Sequence, residues 1–258
     1  MTKIFKKDFL QIKSYDSRDE MGKSSAAEAG EKIRTLLKQK DTVNIIFAAA
    51  PSQNEFLAYL TKEKDIDWSR VNGFHMDEYI GLSKDAPQGF GNFLKAGIFD
   101  LLPFRSVHYL NGQSTSPEDE CARYGKLLAD YPVDIVCMGI GENAHIAFND
   151  PAVADFNDSV KVKVVSLDDI CRQQQVNDGC FSSFCEVPEK ALSLTVPALI
   201  SASYLFCMVP GKTKASAVYN TLYQPVVENY PATILRKHKN AILYIEKDSA
   251  CKLPENNN

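Results

Sequence analysis

Six short runs of β-branched, aromatic and other apolar residues recur along the chain, at 43–47, 71–76, 133–138, 160–165, 204–209 and 240–245. Most are apolar throughout rather than alternating. That is the pattern of strands covered on both faces, and hence of a largely parallel sheet. Helical stretches at 24–38, 53–62, 90–98, 117–128 and 213–221 lie between them. Strand, helix, strand in repeated order predicts an α/β fold with helices on both faces of one sheet. A chain of 258 residues can bury a large core without staples, and no internal repeat divides it. Residues 1–258 are therefore read as a single domain, with about one helix before residue 43. The segment 151–188 breaks the pattern, being polar and irregular apart from one strand. It follows a loop rich in reactive side chains, which makes it a candidate lid.

Composition narrows the function classes. Apolar residues make up 45%, charged residues 24%, and the formal net charge is −4, which is ordinary for a globular chain. The densest basic run, Arg236-Lys237-His238-Lys239, reads as a solvated helix end rather than a nucleic-acid footprint. No nucleic-acid partner is expected, and any bound phosphate must be held by a few placed groups. Seven cysteines, an odd count without a Cys-x-x-Cys pair, suit a reducing cytoplasm. The first seven residues hold no apolar leader. The runs 45–50 and 205–209 are too short to cross a membrane. A cytoplasmic location without a membrane partner is expected.

In open parallel sheets, ligands gather beyond the carboxyl ends of the strands. Three stretches sit there. The first is Ala48-Ala49-Ala50-Pro51-Ser52-Gln53-Asn54-Glu55, where Ser52 and Glu55 are spaced as a capping box. A helix N-terminus at that place offers N–H groups to an anion, although a plain strand-to-helix turn also fits. The second is Gly73-Phe74-His75-Met76-Asp77-Glu78-Tyr79. Two adjacent carboxylates cannot point the same way, so one is expected to face a pocket while the other makes structural bonds. The third is Gly139-Ile140-Gly141-Glu142-Asn143-Ala144-His145-Ile146-Ala147-Phe148-Asn149-Asp150-Pro151. Its glycines permit close backbone approach. Its histidine lies within reach of Asn143 and Asp150, which are able to set its tautomer.

Together these stretches resemble the glucosamine-6-phosphate deaminase (isomerase) family, a relative of the 6-phosphogluconolactonases. The resemblance extends to Ala191-Leu192-Ser193-Leu194-Thr195-Val196-Pro197, Val209-Pro210-Gly211-Lys212-Thr213-Lys214-Ala215 and Pro231-Ala232-Thr233-Ile234-Leu235. It covers nearly the whole chain from about residue 43 to 250. It implies a three-layer, Rossmann-like α/β sandwich around a mostly parallel sheet. It also implies a hydrolase or isomerase that shifts a carbonyl from C1 to C2 of a phosphorylated aminosugar and releases ammonia, with no cofactor and no metal. A homo-oligomer is an assembly it allows. By position, Asp77 is the base at C2 and His145 moves the ring-opening proton, with Asn143 and Asp150 supporting the histidine. Ala49, Ala50, Pro51 and Ser52 form the phosphate cradle. Lys214 and Arg172, the latter preferred over Gln174, hold the phosphate.

The chain departs from the family pattern where Asn143 replaces an aspartate, Asp150 a glutamate, and the alanine run a Thr/Gly-rich cradle. An amide can orient an imidazole but brings no charge to it, which leaves Asp150 to carry the pairing alone. Restoring the carboxylate by Asn143→Asp is therefore expected to raise ring-opening activity or to shift its pH optimum upward. Galactosamine 6-phosphate is the nearest rival substrate. A 6-phosphogluconolactonase and a silent sugar-phosphate sensor are remoter readings.

Overall fold

The computed structural model describes residues 3–254. It opens with a hairpin of β1 (Lys3–Lys7) and β2 (Leu10–Tyr15), followed by the long helix α1 (Arg18–Leu37). Then come β3 (Val43–Phe47), α2 (Asn54–Leu60), β4 (Val71–His75), β5 (Asp77–Tyr79), α3 (Phe90–Leu94) and β6 (Ser106–His108). The middle holds α4 (Pro117–Asp130), β7 (Ile135–Met138), β8 (Val162–Ser166), α5 (Asp169–Asn177) and β9 (Lys190–Leu194). The last elements are α6 (Val196–Ile200), β10 (Tyr204–Val209), α7 (Ala215–Tyr223) and β11 (Ala241–Glu246).

Eight strands form one sheet in the order β1-β2-β11-β10-β7-β3-β4-β6. Only the β1–β2 pair is antiparallel. Each central strand splits its side chains between two cores. In β3, Val43, Ile45 and Phe47 face the helices α1, α2 and α3, while Ile46 faces α4, α6 and α7. In β10, Phe206 and Met208 take the first side, and Leu205, Cys207 and Val209 the second. This two-residue period with both faces buried is why these strands read as almost continuous apolar runs, broken in β3 only by the hydrogen-bonded Asn44. Helices on both faces of a mostly parallel sheet make the expected three-layer α/β sandwich.

Helix α1 starts at Ser17, whose side chain accepts from the Glu20 N–H, with Asp19 and Glu20 in the first turn. Both features favour a helix N-terminus. It approaches α2 so closely that a Cβ on Gly22 would stand 2.4 Å from Glu55 Cβ.

Several expectations need correction. The region before residue 43 holds a hairpin as well as a helix, and β2 continues the parallel sheet beside β11. The segment 151–188 is not irregular: it carries α5 in addition to β8. Arg236 is no solvated helix end. Its guanidinium is buried, paired with Asp8 at 2.7 Å and donating to the Gln224 carbonyl at 2.6 Å.

Beside the main sheet, β5, β9 and β8 form a small antiparallel sheet, with Asp77 paired to Ser193. This second sheet carries Asp77 beyond the end of β4.

Candidate active site

Asp77 and Glu78 divide their work as two adjacent carboxylates must. Glu78 is turned to structure, accepting the N–H groups of Tyr79 (3.0 Å), Phe90 (3.0 Å) and Gly91 (2.8 Å). Asp77 lines a cavity instead. Burial pushes the Asp77 carboxyl well above its ordinary value, with the charge of Glu78 adding to the shift. The backbone behind it is fixed by His75, a residue whose role the sequence did not signal. Its Nδ1 lies 2.9 Å from the Asp77 carbonyl, and its Nε2 accepts the Leu110 N–H at 2.9 Å. That pair assigns the proton to Nδ1. Burial lowers the His75 value to about 4, so this ring is a neutral strut.

The second wall is the loop after β7. Ala144 and Ala147 sit at positive φ, 68° and 45°, a conformation that non-glycine residues adopt rarely. Buried Asn149 holds the loop, donating from Nδ2 to the carbonyls of Ile146 and Leu194. Gly141 lies against the imidazole, where a Cβ would fall 2.1 Å from His145 Cε1. His145 Nδ1 faces two acceptors, Asn143 Oδ1 and Asp150 Oδ1, each at 2.8 Å. That arrangement holds the proton on Nδ1 and leaves Nε2 as the free ring nitrogen. Asp150 is 1% exposed. Burial alone would raise its value, yet the bonds from His145, Asn143 and the Asp168 N–H outweigh it and hold the carboxyl below the ordinary range.

Asp77 and His145 line the same cavity, together with Ala49, Ala50, Ser52 and Lys214. Pro51 does not; its carbonyl is taken by Arg18. The capping box is also absent. Residues Pro51–Gln53 form a 3₁₀ turn without a side-chain cap, because Ser52 Oγ accepts from Gln53 Nε2 at 3.0 Å and Glu55 pairs with Arg18 at 2.7 Å. Gln53, unsuspected from sequence, joins the lining and leaves its buried Oε1 without a partner. Lys214 is 5% exposed. Burial lowers its value, against the opposing charges of Asp178 and Glu142.

Arg172 is elsewhere. Its guanidinium lies over the Phe184 ring and donates to the carbonyls of Phe184 (3.2 Å) and Val187 (2.9 Å). From α5 and its C-cap, the residues that reach the cavity are Gln174, Gln175 and Asp178. Gln174 Oε1 also accepts the Glu142 N–H at 2.8 Å, which ties α5 to the histidine loop.

The arrangement offers a desolvated carboxylate, an imidazole with one free nitrogen and a single ammonium around one space. It suits proton transfers on a small anionic molecule. Donor atoms of His145, Asp150 and Cys171 lie within 4.8 Å of one another. However, the 2.8 Å between Nδ1 and Oδ1 is a shared proton, shorter than the roughly 3.3 Å separating two tetrahedral ligands with ~2.0 Å bonds. The Cys171 thiol is pushed well up by burial, so this is a hydrogen-bonded cluster.

Comparison with known proteins agrees with the geometry. The family described as glucosamine-6-phosphate isomerases/6-phosphogluconolactonase matches residues 16–244. The glucosamine-6-phosphate deaminase of Streptococcus suis is 34% identical over 194 residues, 75% of this chain and 81% of its own. That of Lacticaseibacillus paracasei is 30% identical over 228 residues, 88% of this chain and 94% of its own. A solved monomeric glucosamine-6-phosphate deaminase superposes with a TM-score of 0.84 at 26% identity, over 93% of this chain and 98% of that one. The 6-phosphogluconolactonase of Plasmodium vivax reaches 0.78 at 17% identity, over 94% and 92%, a likeness of fold alone. With a match running from just after β2 into β11, and relatives alike over most of their length, this chain belongs to the glucosamine-6-phosphate isomerase/6-phosphogluconolactonase family.

Proposed function

We propose that this chain converts glucosamine 6-phosphate and water into fructose 6-phosphate and ammonia, by ring opening, aldose–ketose isomerisation and deamination. The observation that carries this reading is the meeting of Asp77 and His145, from two separate strand ends, in one cavity that also holds Lys214. The full-length relatives named as deaminases support the choice of substrate.

His145 opens the ring, taking the anomeric hydroxyl proton on Nε2 and returning it to the ring oxygen as the C1–O5 bond breaks. Asp77 then removes the C2 proton. The C2–H electrons form a C1–C2 double bond, and a proton from the substrate ammonium ends on O1. Asp77 returns its proton to C1, leaving an iminium at C2. Water adds there and the C2–N bond breaks, which releases ammonia. A carboxyl whose value is raised toward working pH suits a base that must give back the proton it takes. The stacked rings of Phe90 and Phe148, 5.5 Å apart, help keep water from the site.

The phosphate is held by the Lys214 ammonium, the Ser52 hydroxyl and the backbone at Ala49 and Ala50. The segment 151–188 serves as a lid. The space is about 60 Å³, well below the ~300–1,000 Å³ of an ordinary ligand pocket, and α5 with its C-cap supplies Gln174, Gln175 and Asp178 to its wall. On this reading α5 withdraws to admit the substrate. All seven cysteines are free thiols, which supports a reducing, cytoplasmic setting. No helix among the described residues is long and apolar enough to cross a membrane.

The test is to incubate the purified protein with glucosamine 6-phosphate, galactosamine 6-phosphate and 6-phosphogluconolactone, following ammonia and ketose phosphate. Ammonia from the first is the expected result. Faster release from the second would move the assignment to the C4 epimer. Lactone hydrolysis without ammonia from either sugar would overturn it.

A further inference from the structure

Asn143 is placed where a carboxylate could not be. Its Oδ1 accepts the His145 backbone N–H at 3.1 Å and faces His145 Nδ1 at 2.8 Å. Its Nδ2 donates to two carboxylates, Asp150 Oδ1 at 3.0 Å and Asp168 Oδ2 at 3.1 Å. Both amide protons and the carbonyl are used, so a flipped amide would set its oxygen against two anions and its nitrogen against two donors. Asp168 likewise has no spare oxygen. Oδ1 caps α5 through the Cys171 N–H at 2.6 Å, while Oδ2 is left for Asn143.

We propose that Asp168 is a positioning residue of the His145 site, a second carboxylate whose negative charge reaches the imidazole through the Asn143 carboxamide. This deepens the deaminase reading and rests on it for its kinetic consequence. Where the resemblance implies one carboxylate next to the histidine at position 143, this chain inserts an amide and moves the charge one hydrogen bond outward, onto the N-cap of α5. Docking of α5 and the charge behind His145 are thereby set together.

The other groups around the imidazole are accounted for. Asp150 faces it from its own loop. Asp77 and Lys214 share the cavity. Glu142 and Asp178 act on Lys214, and the Cys171 thiol bonds to Asp150. The expectation that Asn143→Asp would help is reversed, because the new carboxylate would crowd Asp150 and Asp168 at hydrogen-bond distance without a donor between them.

The experiment is a ¹⁵N-edited NMR titration of the His145 imidazole, assigned by its loss in His145→Gln, together with kcat/KM against pH. Asp168→Asn keeps a capping side chain on α5 but removes the charge. His145 is expected to titrate at lower pH in the variant than in the wild type, the direction that loss of a nearby negative charge gives. The acid limb of kcat/KM should move the same way. Asp168→Ser, also a good cap, should give the same shift. Asn143→Asp alone should lose activity, and Asn143→Asp with Asp168→Asn should recover it, since the amide then sits at 168. An unmoved titration in both folded position-168 variants would overturn the proposal and leave Asp168 a helix cap only. If the wild type released no ammonia from any aminosugar phosphate, the deaminase reading would fall while the imidazole titration would still decide the role of Asp168.

Discussion

The two walls of the cavity treat a buried carboxylate in opposite ways. On the β5 wall, Asp77 is stripped of water and given a like charge beside it, and its carboxyl is held well above the ordinary range. On the loop wall, Asp150 is buried even more completely, yet the bonds from His145, Asn143 and the Asp168 N–H hold it low. Burial is common to both, so burial does not set the role. The partners do: a carboxylate without donors keeps its affinity for a proton, and one saturated with donors stays an anion that orients its neighbour. Two titratable groups pushed apart in this way are the arrangement acid–base chemistry needs.

The largest effect should come from neutralising the dry carboxylate. Asp77→Asn is expected to cut kcat by about 10²–10⁴, the range for acid–base groups, while ammonia production is followed. The same change should raise Tm at neutral pH. Below the ordinary value of 3.8 the side chain is protonated in folded and unfolded chains alike. As pH rises past 3.8 the unfolded chain ionises first, so the wild type loses stability that the asparagine variant keeps. A variant equally active, or less stable at pH 7 than at pH 3 relative to wild type, would dissolve the contrast.

The next effect tests the other wall without touching its charges. Gly141→Ala puts a methyl 2.1 Å from the His145 ring, and a displacement of ~1 Å at a reacting group can cost about 10²-fold in rate. kcat should fall more than KM rises. Normal turnover would mean the imidazole is not the ring-opening group.

How much of this was legible in the sequence follows the same physics. Strands β3, β7 and β10 are plain because both faces are buried, so nearly every position is apolar, the exception being Asn44 in β3, whose side chain is hydrogen-bonded to Pro132 and Asn72. Strands β1 and β5 are not, since three of the five residues of Lys3–Lys7 are lysine at a sheet edge and Asp77–Tyr79 is three residues long. Helix α5 was missed because its buried positions are Cys171, Gln174 and Gln175. The spacing is helical, but only one of the three is apolar, so no hydrophobic period shows. Asp77, His145 and Lys214 could be found from strand ends and motif. Gln53 and Asp168 could not, because the contacts that bring them to the site exist only once the 51–53 turn and the start of α5 pack against the histidine loop.

A third variant measures the saturated network directly. Asp150→Asn turns an acceptor toward the Asp168 N–H into a donor and removes the anion beside His145. It should destabilise by about 1–3 kcal/mol, seen as a Tm loss of roughly 2–4 °C per kcal/mol. The sign is opposite to that of Asp77→Asn. The Asp150 contribution is present above 3.8 and is lost as pH falls through its lowered native value, so both differences from wild type should close in acid, one from below and one from above.

The smallest effect belongs to Arg172, and it bears on how far the loop wall extends along α5. That helix offers one face to the cavity through Gln174, Gln175 and Asp178 and another to residues 184–187, where the guanidinium spans the Phe184 and Val187 carbonyls. Arg172→Ala should therefore lower stability by about 1 kcal/mol from lost hydrogen bonds and leave KM for the phosphorylated sugar within about twofold. Were Arg172 to grip the phosphate, deleting its charge-assisted contact would raise KM by about tenfold or more. A rise of that size would place the arginine inside the closed site and extend the binding wall to the far face of α5.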